Sequence, residues 1–108
     1  MAREQFQNLT EPMYYILLSL LEERCGVDIM ERVEEISKGR VKIGPGTLYA
    51  LLGRFEKERM IKETEVVGRK RSYIITDKGL AILKEEYERL INLIEDGRLF
   101  LVGKYDEV

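Results

Sequence analysis

A mainly α-helical fold with one small β-hairpin, an α+β class, is predicted for this chain from three stretches. Residues 44–59, GPGTLYALLGRFEKER, place Leu48, Leu51, Leu52 and Phe55 at i, i+3, i+4 and i+7, the apolar stripe of an amphipathic helix. Residues 61–67 and 71–76, IKETEVV and RSYIIT, are β-rich runs around Gly68-Arg69-Lys70, the pattern of a hairpin. Leu80, Leu83, Tyr87, Leu90 and Ile94 recur at intervals of three and four, a heptad seam over about two repeats.

In chain order, the first helix is capped by Thr10 or Asn8, with Pro12 tolerated in its first turn. Met13, Ile16, Leu17, Leu20 and Leu21 form its apolar face, and Tyr14, Tyr15 and Leu18 widen it. A helix apolar over so much of its circumference is expected to be covered by its own domain on one side and by a partner chain on another. Cys25-Gly26 breaks it. The second helix spans about 27–37, with Ile29, Met30, Val33 and Ile36 inward and Glu31, Glu34 and Glu35 outward; Ser37-Lys38-Gly39 ends it. Residues 40–43, RVKI, alternate polar and apolar, as in a short strand or an extended lead-in. Pro45 suits the first turn of the third helix, where a missing N–H costs nothing. Gly53 lies inside that helix at a cost of ~1 kcal/mol against alanine. In the second strand Tyr73 and Ile75 share one face and Ile74 takes the other.

Thr76 caps the last helix, with Asp77 favourable beside its positive end. Ala81, Ile82, Ile91 and Leu93 add a second apolar flank. At about 18 residues this helix reaches ~27 Å, longer than a small three-helix core needs, so it is predicted to pack on another chain. Gly97 interrupts the pattern, and Leu99, Phe100, Leu101 and Val102 make the following tail apolar. The predicted division is therefore a domain over 9–76, a dimerisation helix over 77–96 and a tail over 97–108.

The chain has 108 residues, room for one domain and one small core. No apolar run approaches the ~18 residues of a membrane span, and the first twelve residues lack the layout of a signal peptide. One cysteine and no histidine suit a cytoplasmic protein without structural zinc. The formal net charge is −2, but it is segregated. Residues 38–71 carry ten basic and four acidic side chains, a local +6, which leaves −8 on the rest. A basic middle on an acidic body steers toward phosphate.

That middle holds the candidate site. A helix of ~10–12 Å diameter fits the major groove of DNA, and its N-terminal residues reach base edges. Behind Pro45, the face opposite the apolar stripe carries Thr47, Tyr49, Arg54 and Lys57. Thr47 offers a hydroxyl to base or phosphate, Tyr49 a phenol to phosphate, and Arg54 and Lys57 offer cations. Gly44 and Gly46 leave room for close backbone approach. Arg69, Lys70 and Arg71 at the hairpin turn lie beside the DNA backbone or in a minor groove in this reading.

Gly46-Thr47-Leu48-Tyr49, Leu51-Leu52, Arg54-Phe55-Glu56, Met60-Ile61, Arg69-Lys70-Arg71-Ser72-Tyr73 and Thr76-Asp77-Lys78-Gly79 follow one another in the order of the PadR-type winged helix-turn-helix regulators, which this chain resembles over about residues 9–95. Its short single C-terminal helix is similar to that of the smaller, LmrR-like subgroup. The resemblance implies a homodimeric transcriptional repressor, bound to double-stranded DNA at a pseudo-palindromic operator. It implies dimerisation of the last helix against the first helix of its mate, with Met13, Leu17, Leu80, Leu83, Tyr87, Leu90 and Ile94 at the interface. It also implies a small-molecule inducer, apolar or aromatic, for which Tyr15, Tyr87, Leu90 and Ile94 are the candidate lining. Four positions depart from the family pattern. Arg59 stands where a glycine usually closes the recognition helix, Gly53 replaces a frequent cation, and Ile74 replaces a common polar residue. Leu90 occupies the place of a stacking tryptophan in the multidrug-sensing subgroup.

No catalytic constellation is present, since Cys25 has no evident base and histidine is absent. Glu22-Glu23 and Glu85-Glu86 read as solvated helix faces. No metal, cofactor or membrane partner is expected. The alternative class is a winged-helix protein-interaction or scaffolding domain that does not read DNA.

Overall fold

A computed structural model describes residues 8–103. Four helices and three short strands follow one another: α1 (Glu11–Ser19), β1 (Arg24–Cys25), α2 (Gly26–Ile36), α3 (Pro45–Lys57), β2 (Ile61–Val67), β3 (Lys70–Ile75) and α4 (Asp77–Leu101). Thr10 caps α1: its hydroxyl accepts from Met13 N–H at 3.4 Å, and its own N–H donates to Met13 Sδ. One face of α1, α2 and α3 closes the core. Met13, Ile16, Leu17, Leu20, Ile29, Val33, Leu48, Leu52 and Phe55 are all buried, with Met60, Ile61, Tyr73, Ile82 and Leu83 beneath them. Removing such side chains from water is the main favourable contribution to folding, at roughly 1.5–3 kcal/mol each.

The sheet is antiparallel in the order β1-β3-β2. β1 pairs Arg24 with Tyr73 and Cys25 with Ser72, and so ties the α1–α2 connection to the hairpin. The sequence pattern does not reveal it, because two residues carry no periodicity. The backbone adds a further tie, from Ile75 N–H to the Leu20 carbonyl at 2.9 Å. A register irregularity lies between Glu63 and Glu65, where the Thr64 hydroxyl donates to the Glu23 carboxylate.

Two expectations need correction, and of the two readings of residues 40–43 the lead-in stands, since they form no strand. Val41 N–H donates to Ser37 Oγ at 3.0 Å, so a side chain ends α2 and takes the bond that a sheet would have used. The first helix ends at Ser19, not at Cys25. Gly97 does not end the last helix, which runs for 25 residues to Leu101, about 37 Å at 1.5 Å per residue. Good helix formers on both sides carry the ~1 kcal/mol cost of that glycine. The tail therefore begins as helix, and its residues 104–108 lie outside those described.

The joint between α3 and α4 is tight. Arg59 has a φ of +61°, the left-handed conformation that glycine usually supplies here, and lets Met60 N–H turn back to the Phe55 carbonyl at 2.8 Å. Thr76 N–H donates to the Met60 carbonyl at 2.9 Å, and the Thr76 hydroxyl donates to the Arg59 carbonyl at 2.6 Å. The same hydroxyl accepts from Gly79 N–H at 3.1 Å as the α4 cap. The end of the third helix and the start of the fourth thus share one hydrogen-bonded corner.

Candidate nucleic-acid interface

α3 places its apolar stripe inward as the spacing dictates: Leu48, Leu52 and Phe55 are buried and Leu51 is half-buried. The outward surface has two rows. Thr47, Ala50, Arg54 and Lys57 form one; Gly46, Tyr49, Gly53 and Glu56 form the other. All eight are exposed, as is Pro45. A Cβ added at Gly44, Gly46 or Gly53 meets nothing within 4 Å. Packing within the chain therefore does not require these glycines, and Gly53 does not serve a close approach to α2. Together with Ala50 they keep the outer surface of α3 low between its polar side chains.

Tyr73 sets the hairpin on the core, where it is 3% exposed. Burial pushes its phenol above the ordinary tyrosine value, with Glu56 and Glu63 adding to the rise. The turn beyond it carries Arg69, Lys70 and Arg71, all exposed. Arg71 Nη1 lies 3.4 Å from Glu63 Oε2, so its charge is partly balanced. Arg69 and Lys70 have no ion pair among the described residues.

Tyr49, Arg69, Lys70 and Arg71 meet at one cleft of about 460 Å³, closed on its other side by Cys25, Gly26, Val27 and Asp28 at the start of α2. Thr47, Arg54 and Lys57 do not line it; they lie along the α3 face. The candidate residues thus divide between a helix face and a cleft beneath the wing. Gly26 and Asp28 were not legible as part of this site. Nothing in the local sequence marks them, since they join it only through the folding of α2 against the hairpin.

The candidate interface residues divide differently. Met13, Leu17 and Leu83 are buried in the chain's own core, Leu80 and Leu90 are half-buried, and only Tyr87 and Ile94 are exposed. The heptad seam serves two masters: its first half packs on this domain. Beyond that half α4 exposes Leu93, Ile94, Leu99 and Phe100, and Val102 at its end is exposed as well. Leu93, Ile94, Gly97, Arg98, Leu101 and Val102 line an apolar hollow of about 420 Å³.

Nor do the four candidate ligand residues share one cavity within the chain. Tyr15 and Leu90 line a space of about 330 Å³ between α1 and α4, with Tyr14, Glu86 and Arg89, while Tyr87 and Ile94 lie outside it. Glu86 corrects another expectation. It is 1% exposed rather than solvated, and Arg89 holds it with two bonds, Nε to Oε1 at 3.0 Å and Nη2 to Oε2 at 2.5 Å. The start of α1 folds over it, which neighbouring residues in the sequence do not foretell. Burial raises the Tyr14 phenol above its ordinary value, with Tyr87, Tyr15 and Glu86 adding to the rise. The Tyr15 hydroxyl accepts from Arg40 Nη2 at 2.8 Å. Among the described residues no helix is long and apolar enough to cross a membrane.

Comparison with known proteins agrees with this architecture. An uncharacterized 37.1 kDa protein in a transposon of Streptomyces fradiae is 34% identical over 83 residues, which is 77% of this chain but 23% of that protein. The chain thus spans about a quarter of that relative's length. A transcriptional regulator from Clostridium thermocellum superposes with a TM-score of 0.71 at 25% identity, covering 84% of this chain and 94% of that one. A PadR family transcriptional regulator from Eggerthella lenta gives 0.63 at 26% identity, covering 87% and 81%. The transcriptional regulator PadR-like family matches residues 16–85, which hold α2, α3, the whole hairpin and the corner into α4. With its helices, wing and sequence all in that pattern, the chain belongs to the PadR-like family of transcriptional regulators, DNA-binding proteins rather than enzymes.

Proposed function

We propose that this protein is a homodimeric repressor that binds a pseudo-palindromic operator. Each α3 enters a major groove with Thr47 toward base edges and Arg54 and Lys57 toward phosphate, while Arg69, Lys70 and Arg71 lie along the adjoining backbone. The observation that carries this reading is the outer surface of α3, polar and low, set directly beside an exposed cationic turn. The local +6 against −8 elsewhere supports it, because the approach to DNA is steered to one side.

The dimer forms through α4, whose exposed apolar side chains beyond Leu90 exceed anything the domain itself covers. Two recognition helices then reach successive grooves about 34 Å apart. A small apolar or aromatic ligand entering between α1 and α4, beside Tyr15 and Leu90, relieves repression by altering how the two helices meet.

A gel shift with the DNA upstream of this protein's own gene tests the reading, with scrambled duplex as the control. If about six phosphates are neutralised, affinity falls with log salt with a slope near −5. Arg69→Ala weakens binding to every duplex alike and lowers the slope by about 1 per subunit, whereas Thr47→Ala alters discrimination between sequences. Salt-independent affinity, or equal binding to scrambled DNA, overturns the proposal. Capture of a protein partner by a chain that binds no DNA places it in the scaffolding class instead.

A further inference from the structure

Gly26 is buried at the first position of α2, and its φ lies outside the left-handed region. Alanine would suit that backbone and is the better helix former. The space does not allow it. A Cβ at Gly26 would stand 2.2 Å from Tyr49 Oη and 2.9 Å from Tyr49 Cζ. The phenol of the third helix is therefore laid against the start of the second, in the gap left by a missing methyl group.

This seat has a consequence for the wing. Tyr49 is 49% exposed, so its ring is not fixed by a core around it. Gly26 holds one side of it, and the ring in turn walls the cleft that Arg69, Lys70 and Arg71 line opposite. The Tyr49 hydroxyl has no hydrogen-bond partner among the described residues. A phenol O–H and two unpaired cations around one opening are the donors that a phosphate oxygen accepts. Asp28 is the carboxylate in the same lining and works against an anion there.

We propose that Gly26 is a positioning residue for DNA binding: lacking a Cβ, it seats the Tyr49 ring so that its hydroxyl and the wing cations Arg69 and Lys70 take one backbone phosphate together. This rests on the DNA-binding reading above and names one contact within it. It sets Tyr49 apart from Thr47, Arg54 and Lys57, which act along the helix face.

The test uses the full chain and a duplex from upstream of its own gene, followed by fluorescence anisotropy at fixed salt. Gly26→Ala pushes aside the end of a half-exposed side chain, so the melting temperature stays within a few degrees of wild type. Binding weakens by about tenfold for each half-site, the loss of one charge-assisted hydrogen bond. In a Tyr49→Ala background the same Gly26→Ala change adds nothing, since there is no ring left to misplace. Asp28→Asn tightens binding. Wild-type affinity in Gly26→Ala, an equal loss in both backgrounds, or no effect of Asp28→Asn overturns the inference. The seat is also read without DNA, as nuclear Overhauser contacts between Gly26 Hα and the Tyr49 ring. Their absence refutes the seat itself, whereas a wild-type chain that shows them and binds no duplex refutes the DNA reading and the phosphate role with it.

Discussion

Replacing Gly79 by alanine should unfold this protein at a much lower temperature, although alanine is the better helix former. A Cβ at Gly79 would lie 2.1 Å from the Met60 carbonyl oxygen, 2.9 Å from its carbon and 2.9 Å from Ile75 Cγ1. The first of these is a backbone atom and cannot rotate away. Since real Cβ atoms do not come within 3.0 Å of a neighbour, the corner must open by about 1 Å. That opening breaks or stretches the bonds from Thr76 N–H to the Met60 carbonyl and from the Thr76 hydroxyl to the Arg59 carbonyl. Each is a loss of about 1 kcal/mol, and overpacking adds 1–3 kcal/mol more, against a gain of about 1 kcal/mol in helix propensity. The net is about 3 kcal/mol, or roughly 10–20 °C in melting temperature for a domain of this size. Circular dichroism at a fixed protomer concentration measures it, the concentration mattering because association itself adds stability. Gly53→Ala is the matched control. Its Cβ meets nothing, so melting rises by a few degrees. A Gly79→Ala chain that melts within 3 °C of wild type refutes the steric argument.

Ile94→Glu should give monomers by sedimentation that still fold, losing only the part of the melting temperature that association contributes, because Ile94 is 61% exposed; Leu83→Glu should prevent folding altogether, because Leu83 is 4% exposed. A stable dimeric Ile94→Glu chain contradicts the α4 interface. Arg89→Ala should lower the melting temperature clearly more than Arg98→Ala, since it leaves the buried Glu86 carboxylate without its fork, while Arg98 pairs only with the exposed Glu95 at 3.8 Å. Equal effects would show that burial of Glu86 carries no penalty. Stability should fall at alkaline pH in part through Tyr73. Its folded value lies above the ordinary tyrosine value of 10.0, so its contribution is complete below pH 10 and is lost as pH rises through the higher folded value. Urea unfolding at pH 8 and pH 10.5 should therefore show a smaller drop for Tyr73→Phe than for wild type, and identical drops exclude this group.

The third helix and the hairpin behind it were legible because their signals are local. Leu48, Leu52 and Phe55 repeat at helical spacing within one element, and Gly68 at φ +61° sits where the turn demands it. What stayed hidden depends on residues far apart in the chain. β1 exists only because Arg24 and Cys25 meet Tyr73 and Ser72. Glu86 has the sequence surroundings of a solvated face and is buried by the start of α1, some seventy residues earlier. Leu83 and Leu90 carry the same heptad spacing, yet one is core and the other is half-covered, because spacing gives a stripe and not what lies against it. Residues 40–43 alternate like a strand but find no sheet edge; Ser37 satisfies Val41 instead. The cleft that joins Tyr49 to the wing has the same cause. Its walls come from α2, α3 and the hairpin, and only the fold assembles them.

The hydrogen-bonded corner at Arg59, Met60 and Thr76 ties the end of α3 to the start of α4, so in the proposed repressor the two would move as a single bent lever. In the proposed dimer each recognition helix stands about 17 Å from the two-fold axis, half the spacing of successive grooves. Splaying the α4 pair by about 5° would swing each α3 through about 1.5 Å, more than a hydrogen bond to a base edge tolerates. A ligand wedged beside α4 therefore has no need to loosen the DNA-binding head. In the proposed repressor the operator would be released by a change of stance between two rigid halves.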